Sequence, residues 1–394
     1  MVGNERRCAV LRASNISTLK CDNRVLLLNE IRKGPVSRID LSHRVKMSKS
    51  AVTIIINDLI KENQVKEVGT DIDRTGKGRK AIFLDINENN RFAVGIYLHR
   101  KQIIVSVTNL KNELICKTES PLSAFSEVSQ VTDYIFKSID DLIESSKIDR
   151  EKIIGIGISS PGPLNYKTGE ILNPPDFEMF HNVPVTALVR ERFNLPIYLD
   201  NNAVLLGNTE KVFGGFESSK SAMFIIVKDG IGSSIFTDGS IYRGFGGYSG
   251  ELGHISVDLN GLDCTCGSKG CLEKYVLPSA VKEKFGFESY NEVVDSAYEG
   301  DPLGLEVVEY VAKYFGAALV NVINLFDLDM IVFYGDYNYR PEMLIDLLKK
   351  QISCCAATKN AHNIIVKPSV LSGRHVEDIC STSILINKFF NQDC

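Results

Sequence analysis

No run in the sequence approaches the roughly 18 consecutive apolar residues that a membrane span needs, so no membrane-spanning helix is expected. The first twenty residues, MVGNERRCAVLRASNISTLK, hold no long apolar core, and a secretory leader is not expected either. Ten cysteines in 394 residues are too sparse for a disulfide scaffold. Three of them crowd into an eight-residue stretch, a spacing that points to metal rather than oxidation. What remains is ordinary globular usage, with 44% apolar and 24% charged residues. At roughly 100–200 residues per domain the length predicts two or three domains of a soluble, cytoplasmic protein.

Charge is unevenly placed. Residues 1–90 hold 17 Lys and Arg against 11 Asp and Glu, a net of +6; the remainder carries −10. A basic front on an acidic body suits a polyanion-binding module joined to something else. Within it, residues 24–32 carry an apolar stripe at helical spacing that Gly34-Pro35 ends. Ser37 and Asp40 form a capping-box-like start for a second helix through about Val45. Ser48 caps a third, in which Val52, Ile55, Ile56 and Leu59 make one buried stripe. This is a helix-turn-helix arrangement with Lys49, Ser50 and Thr53 near the start of the recognition helix, off the stripe. Arg38, Ser48, Lys49, Ser50 and Thr53 are candidate DNA contacts, since hydroxyls reach base edges and cations reach phosphates or bases. Residues 64–68 and 80–84 read as two strands around a polar, Gly-rich wing, where Lys77, Arg79 and Lys80, beside Arg74, could meet a phosphate backbone or minor groove. A small helical domain for protein contacts is the alternative reading of the same pattern.

From about residue 91 three strands, a helix, a strand and a further helix near 184–193 follow in turn, the order of one half of the actin-like sugar-kinase fold. A similar order recurs after residue 221, with a helix near 307–326, a strand at 329–334 and a helix at 341–356. Such alternation implies an α/β sheet protein, and two lobes leave a cleft suited to a small ligand. Between these elements lies GYSGELGHISVDLNGLDCTCGSKGCLEKY, residues 247–275. His254, Cys264, Cys266 and Cys271 offer one imidazole and three thiolates, a closed tetrahedral set expected to hold one structural Zn²⁺ per chain.

GPVSRIDLS, SPGPL, LDNNA and GELGH followed by CTCGSKGCLE together resemble the ROK family of repressors, open reading frames and kinases, over nearly the whole chain. The resemblance implies an α/β chain: a winged helix-turn-helix at 1–88, then a two-lobed actin-like (sugar kinase/Hsp70-like) body. Lobe 1 would take 89–199 plus 374–394, and lobe 2, with the zinc loop, 200–373. An N-terminal winged helix places the sequence with the family's sugar-responsive regulators. Glu251, His254 and Glu273 match the residues that grip sugar hydroxyls there, His254 with a second role on zinc. Asn201 keeps the family's identity, and Asp176 falls where many members have Asn.

The kinases of the family resemble one another in a D-x-G-G-T-K loop whose small residues let backbone N–H groups approach ATP phosphates. Here Tyr97-Leu98-His99-Arg100-Lys101-Gln102 stands in that place. Asn202 occupies the position of the general base, unless a shift of register gives that role to Asp200. A carboxamide is no useful base near neutral pH, though it can hydrogen-bond a hydroxyl. The expectation is therefore a non-catalytic regulator, a repressor of carbohydrate-utilisation genes, binding duplex operator DNA as a homodimer or higher homo-oligomer and responding to a small sugar. An active sugar kinase with an accessory DNA-binding domain is the alternative, and a regulator that has lost sugar binding a third.

Overall fold

Ser37 starts a helix because its hydroxyl is placed to replace a missing backbone partner. In the computed structural model its Oγ accepts from the Asp40 N–H at 3.2 Å, while donating to the Asp40 carboxylate at 2.7 Å. The model describes residues 16–70, 82–214, 216, 219–355, 364–371 and 376–391. The described residues divide into two compact units. The first extends to Phe92 and includes Asn109–Glu113 and the segment from Ile386; the second comprises Ala93–Thr108 and Leu114–Leu385.

The first unit contains α1 (Ile16–Arg32), β1 (Val36–Ser37), α2 (Arg38–Arg44), α3 (Lys49–Lys61), β2 (Val65–Thr70) and β3 (Ile82–Ile86). Its sheet runs β1-β3-β2, with both pairings antiparallel. Val52, Ile55, Ile56 and Leu59 of α3 are all buried, as their spacing predicts, beside Leu27, Ile31, Leu41 and Leu84. The third helix is capped where expected, with the Ala51 N–H donating to Ser48 Oγ at 3.2 Å. Two boundaries differ from the sequence reading. The unit ends at Phe92 rather than 88, and residues from Ile386, assigned from sequence to lobe 1, belong here instead. The physical reason is Phe390, fully buried with the Arg32 guanidinium 5.0 Å from its ring centroid, while Asn29 Nδ2 donates to Asn391 Oδ1.

The second unit begins with β4 (Phe92–Leu98), β5 (Gln102–Asn109), β6 (Leu114–Pro121), α4 (Val128–Ser145), β7 (Ile153–Ser160), the short pair β8 (Leu164–Asn165) and β9 (Glu170–Ile171), α5 (Val185–Arg192) and β10 (Ile197–Asn201). Its first sheet runs β10-β7-β4-β5-β6. All seven residues of β4 are buried, the pattern of a strand covered on both faces. Then follow α6 (Asn202–Phe213), β11 (Ala222–Val227), β12 (Ile231–Thr237), β13 (Ser240–Tyr242), α7 (Glu273–Val276), α8 (Pro278–Phe285), α9 (Tyr290–Tyr298), α10 (Pro302–Phe326), β14 (Met330–Gly335), α11 (Glu342–Cys355), β15 (Ile365–Pro368) and α12 (Val376–Asn391). The second sheet runs β13-β12-β11-β14-β15. Helices α8 and α9 were not expected from the sequence.

Tyr97 and Ile104 of the first sheet share one core with Leu205 and Leu206 of α6, Phe224 and Val332 of the second sheet, and Cys380 of α12. The approach is close: a Cβ on Gly157 of β7 would lie 1.8 Å from the Ser381 carbonyl oxygen, so only glycine fits there.

Candidate functional site

The zinc-motif loop follows β13 and is held by few regular elements. Leu252–His254 forms a single 3₁₀ turn, and isolated bridges pair Ser256 with Cys271 and Asp263 with Lys269. The Cys264 N–H donates to the Ser268 carbonyl and the Gly267 N–H to the Cys264 carbonyl, which folds the two cysteines of C-T-C back towards Cys271. The donor atoms of His254, Cys264, Cys266 and Cys271 all lie within 4.8 Å of one another. Cys266 and Cys271 sulfurs are 3.6 Å apart, and Cys264 Sγ is 3.7 Å from His254 Nδ1. A tetrahedral ion with Zn–S bonds of about 2.3 Å sets its sulfurs about 3.8 Å apart, so the set fits a metal. Burial and the neighbouring thiols push Cys271 up to about 12.

Beside this cluster lie Glu251 and Glu273, two of the residues expected from the sequence to meet a sugar. His254 Nδ1 is 3.6 Å from Glu273 Oε1, to which the Cys264 thiol also donates. Glu251 faces the cleft and makes no side-chain hydrogen bond among the described residues. Desolvation raises its pKa, opposed by the His254 imidazole and reinforced by Glu273. A small cavity of about 40 Å³ is lined by Asn201, Ser233, Tyr248, Ser249, Gly250 and Glu251. Gly250, at φ +97°, brings the chain so near β12 that a Cβ would lie 2.2 Å from the Ser233 carbonyl oxygen.

The other sequence-singled residues are placed differently. Asn201 caps α6, its Oδ1 accepting from the Ala203 N–H at 2.8 Å. Both ends of the Asn202 amide are engaged: Ser159 Oγ donates to Oδ1 at 2.5 Å, and Nδ2 donates to the Leu98 carbonyl at 3.4 Å. Asp176 is exposed on a turn at φ +54° and does not line the cavity. Arg243 was missed by sequence reasoning. Its guanidinium grips the buried Asp200 carboxylate through both nitrogens, at 3.0 and 2.6 Å, and stacks 4.3 Å from the Tyr166 ring centroid. The available signal was a lone cation opening the glycine-rich run RGFGG.

Residues 97–102 and the turn after β11 are held by side-chain contacts. Lys101 Nζ is 2.6 Å and His99 Nε2 3.6 Å from Asp229, in the turn between β11 and β12. Arg100 Nε donates to the Pro175 carbonyl. Lys228 pairs with Glu377 of α12, which also accepts from the Tyr334 hydroxyl at 2.8 Å. Burial alone would raise the Glu377 pKa, but Lys228 holds it below the ordinary carboxylate range. Burial lowers the pKa of His99, opposed by Asp229.

On α3 of the first unit, Ser48, Lys49, Ser50 and Thr53 are exposed. Arg38 pairs with Glu67 at 3.1 Å in an exposed contact, and it also reaches Asn57 Oδ1 at 3.5 Å. Ile54 and Asn57, which the sequence reading passed over, share the exposed face of α3. Lys77, Arg79 and Lys80, with Arg74, lie outside the described residues.

Residues 94–376 match the ROK family. The chain belongs to the ROK family. Its two-sheet body is the ROK actin-like fold. A ROK family transcriptional regulator described as a homolog of the E. coli MLC protein superposes with a TM-score of 0.76 at 25% identity, covering 95% of this chain and 97% of that one. A ROK hexokinase from Thermus thermophilus superposes with a TM-score of 0.63 at 22% identity over 75% of this chain and 97% of its own, a likeness of fold. Among curated ROK relatives, the xylose repressor of Bacillus spizizenii is 28% identical over 375 residues, 94% of this chain and 96% of that protein. The regulator NagC of Escherichia coli is 27% identical over 356 residues, 86% of each. Among the described residues, no helix is long and apolar enough to cross a membrane.

Proposed function

We propose that this chain is a sugar-responsive, DNA-binding transcriptional repressor of carbohydrate-utilisation genes that lacks kinase activity. What supports the reading is a capped helix with an exposed Lys49-Ser50-Thr53 face in the same chain as a cavity that Glu251 lines. On this reading Glu251 belongs to the sugar half of the cleft, and the Lys101–Asp229 and Lys228–Glu377 pairs take up its phosphate half. The relatives that span nearly its full length are named as repressors of xylose and N-acetylglucosamine systems, which supports the same class.

The sugar sits against Glu251, Glu273, His254 and Asn201, whose charged and amide groups suit vicinal hydroxyls. Asn202 serves there through its already engaged amide, and Asp176, although it does not line the small cavity, bears on specificity. His254, Cys264, Cys266 and Cys271 hold one structural Zn²⁺, which supplies no chemistry but pins the loop that carries Glu251 and Glu273. In the cytoplasm a homodimer, or a larger homo-oligomer, reads a palindromic operator with half-sites a whole number of helical turns apart. Lys49, Ser50 and Thr53 meet the major groove, Ser48 and Arg38 lie at its edge, and Lys77, Arg79 and Lys80 meet the backbone. By linkage, whatever factor sugar takes from operator affinity, the operator takes from sugar affinity.

The active-kinase alternative has the shared fold in its favour, but it must expel two ion pairs to admit a triphosphate and work without a carboxylate at position 202. The deciding experiment is a gel-shift titration of the full chain on its own promoter region with a panel of free sugars, run beside an ATP phosphotransfer assay. A sugar-dependent change in retardation with no sugar phosphate formed is the expected result. Phosphorylation without DNA binding overturns it.

A further inference from the structure

We propose that Ile54 reads the 5-methyl group of thymine in the operator's major groove, an inference that rests on the DNA-binding reading above. Ile54 is 61% exposed although α3 is amphipathic, and its buried stripe of Val52, Ile55, Ile56 and Leu59 is complete without it. The core therefore gives no reason for an isoleucine at this position. Nor does helix propensity, which ranks isoleucine below alanine, leucine and lysine on an exposed face. Isolated surface isoleucines are common, but this one lies four residues after Ser50 and three before Asn57, among the exposed polar residues Lys49, Ser50, Thr53 and Asn57. It is thus set into the surface that a capped recognition helix presents to DNA.

The major groove offers hydrogen-bond donors and acceptors at every base pair, and the thymine methyl as its apolar feature. A polar recognition face bearing one branched apolar side chain is the complement of that pattern. Branching at Cβ restricts χ1 in a helix, so little rotamer freedom is lost on contact. Asn57, one turn on, carries a carboxamide of the type that pairs with adenine N6 and N7. Its only described partner is Arg38, and that contact, to Oδ1 at 3.5 Å, leaves the amide nitrogen available. The half-site is accordingly expected to place a thymine close to an adenine under the middle of α3.

Replacing thymine by uracil removes the methyl and nothing else, which makes the contact directly testable. The full chain is used to select its operator from randomised duplexes, and each thymine of the selected half-site is then replaced singly by uracil. At one thymine, uracil should weaken wild-type binding about 3–5-fold, the scale of one buried methyl group. Ile54→Ala should bind the thymine and uracil duplexes alike, and Ile54→Val should keep part of the difference. Because Ile54 lies outside the core, unchanged thermal unfolding checks that the variants remain folded. Wild-type indifference to uracil at every position overturns the proposal, as does an Ile54→Ala protein that keeps the full uracil penalty. If Ile54→Ala leaves operator affinity intact but changes the oligomeric state, the side chain serves a protein contact and the proposal is wrong. If no sequence is enriched at all, the DNA-binding reading itself fails, and this inference with it.

Discussion

Around Glu251 the cleft presents a carboxylate with no hydrogen-bond partner among the described residues, next to a cavity and a metal-type cluster. Around Asp229 and Glu377, in the same unit, carboxylates are matched by Lys101, His99, Lys228 and Tyr334. On the reading proposed above, this is the contrast expected of an α/β scaffold that loses a reaction and keeps a ligand. Phosphate loops need small residues with free N–H groups, whereas here His99 and Lys101 lie against Asp229 and Arg100 donates to the Pro175 carbonyl. On the proposed reading a sugar half works in the opposite way, its polar groups unmatched until the hydroxyls arrive.

Removing the metal should break the contrast most severely. Cys264→Ser, or a strong chelator, should take the metal content from about one per chain to near none. Sugar binding by calorimetry should then fall below detection, because Glu273 lies within 3.3 Å of the Cys264 sulfur and Glu251 lies on the same loop. Retained sugar affinity in a metal-free protein would show that the loop stands on its own.

Restoring a base should leave the phosphate half inert. A missing general base costs about 10²–10⁴-fold in rate, yet Asn202→Asp should still give no measurable phosphotransfer, because the Lys101–Asp229 and Lys228–Glu377 pairs stay in place. Turnover by that single variant would mean the pairs yield readily to ATP.

Glu251→Gln should weaken sugar binding by about 1.5–3 kcal/mol, the worth of a hydrogen bond to a charged group, without affecting operator binding in the absence of sugar. Lys101→Ala, at an exposed pair, should alter unfolding free energy by less than about 1 kcal/mol. The smallest effect concerns pH. The folded-state pKa of His99 is lowered, so the folded protein binds fewer protons there than the unfolded chain. Its contribution to stability is therefore full above the unfolded value of about 6.5 and declines as pH falls towards the folded value. His99→Gln should flatten the stability profile slightly in that window, as denaturant titrations at several pH values would register.

Much of this arrangement was legible in the residues. Ser37, Ser48 and the stripe at Val52, Ile55, Ile56 and Leu59 announced α2 and α3, since caps and apolar periodicity are local signals. The grouping of His254 with the three cysteines was also readable, because short spacings limit where a ligand set can close. Contacts between residues distant in sequence were not readable. Nothing near Arg243 announces Asp200, 43 residues away, and nothing near Lys228 announces Glu377. The pairing of Arg38 with Glu67 was hidden for the same reason, and α8 and α9 were obscured by short, weakly apolar stretches. Phe390 joins the first unit through a contact more than 350 residues away in sequence, which no local pattern encodes.

Gly250 bears on how this cleft could acquire a new ligand. Its positive φ and the 2.2 Å approach that a Cβ would make to Ser233 fix the course of the chain just before Glu251. Variation at Tyr248, Ser249 and Glu251 can therefore reshape the cavity they line while the backbone beneath them stays the same. A laboratory lineage selected for a different inducer should accumulate its changes on those side chains and leave position 250 untouched, so the route to a new specificity is narrow but short.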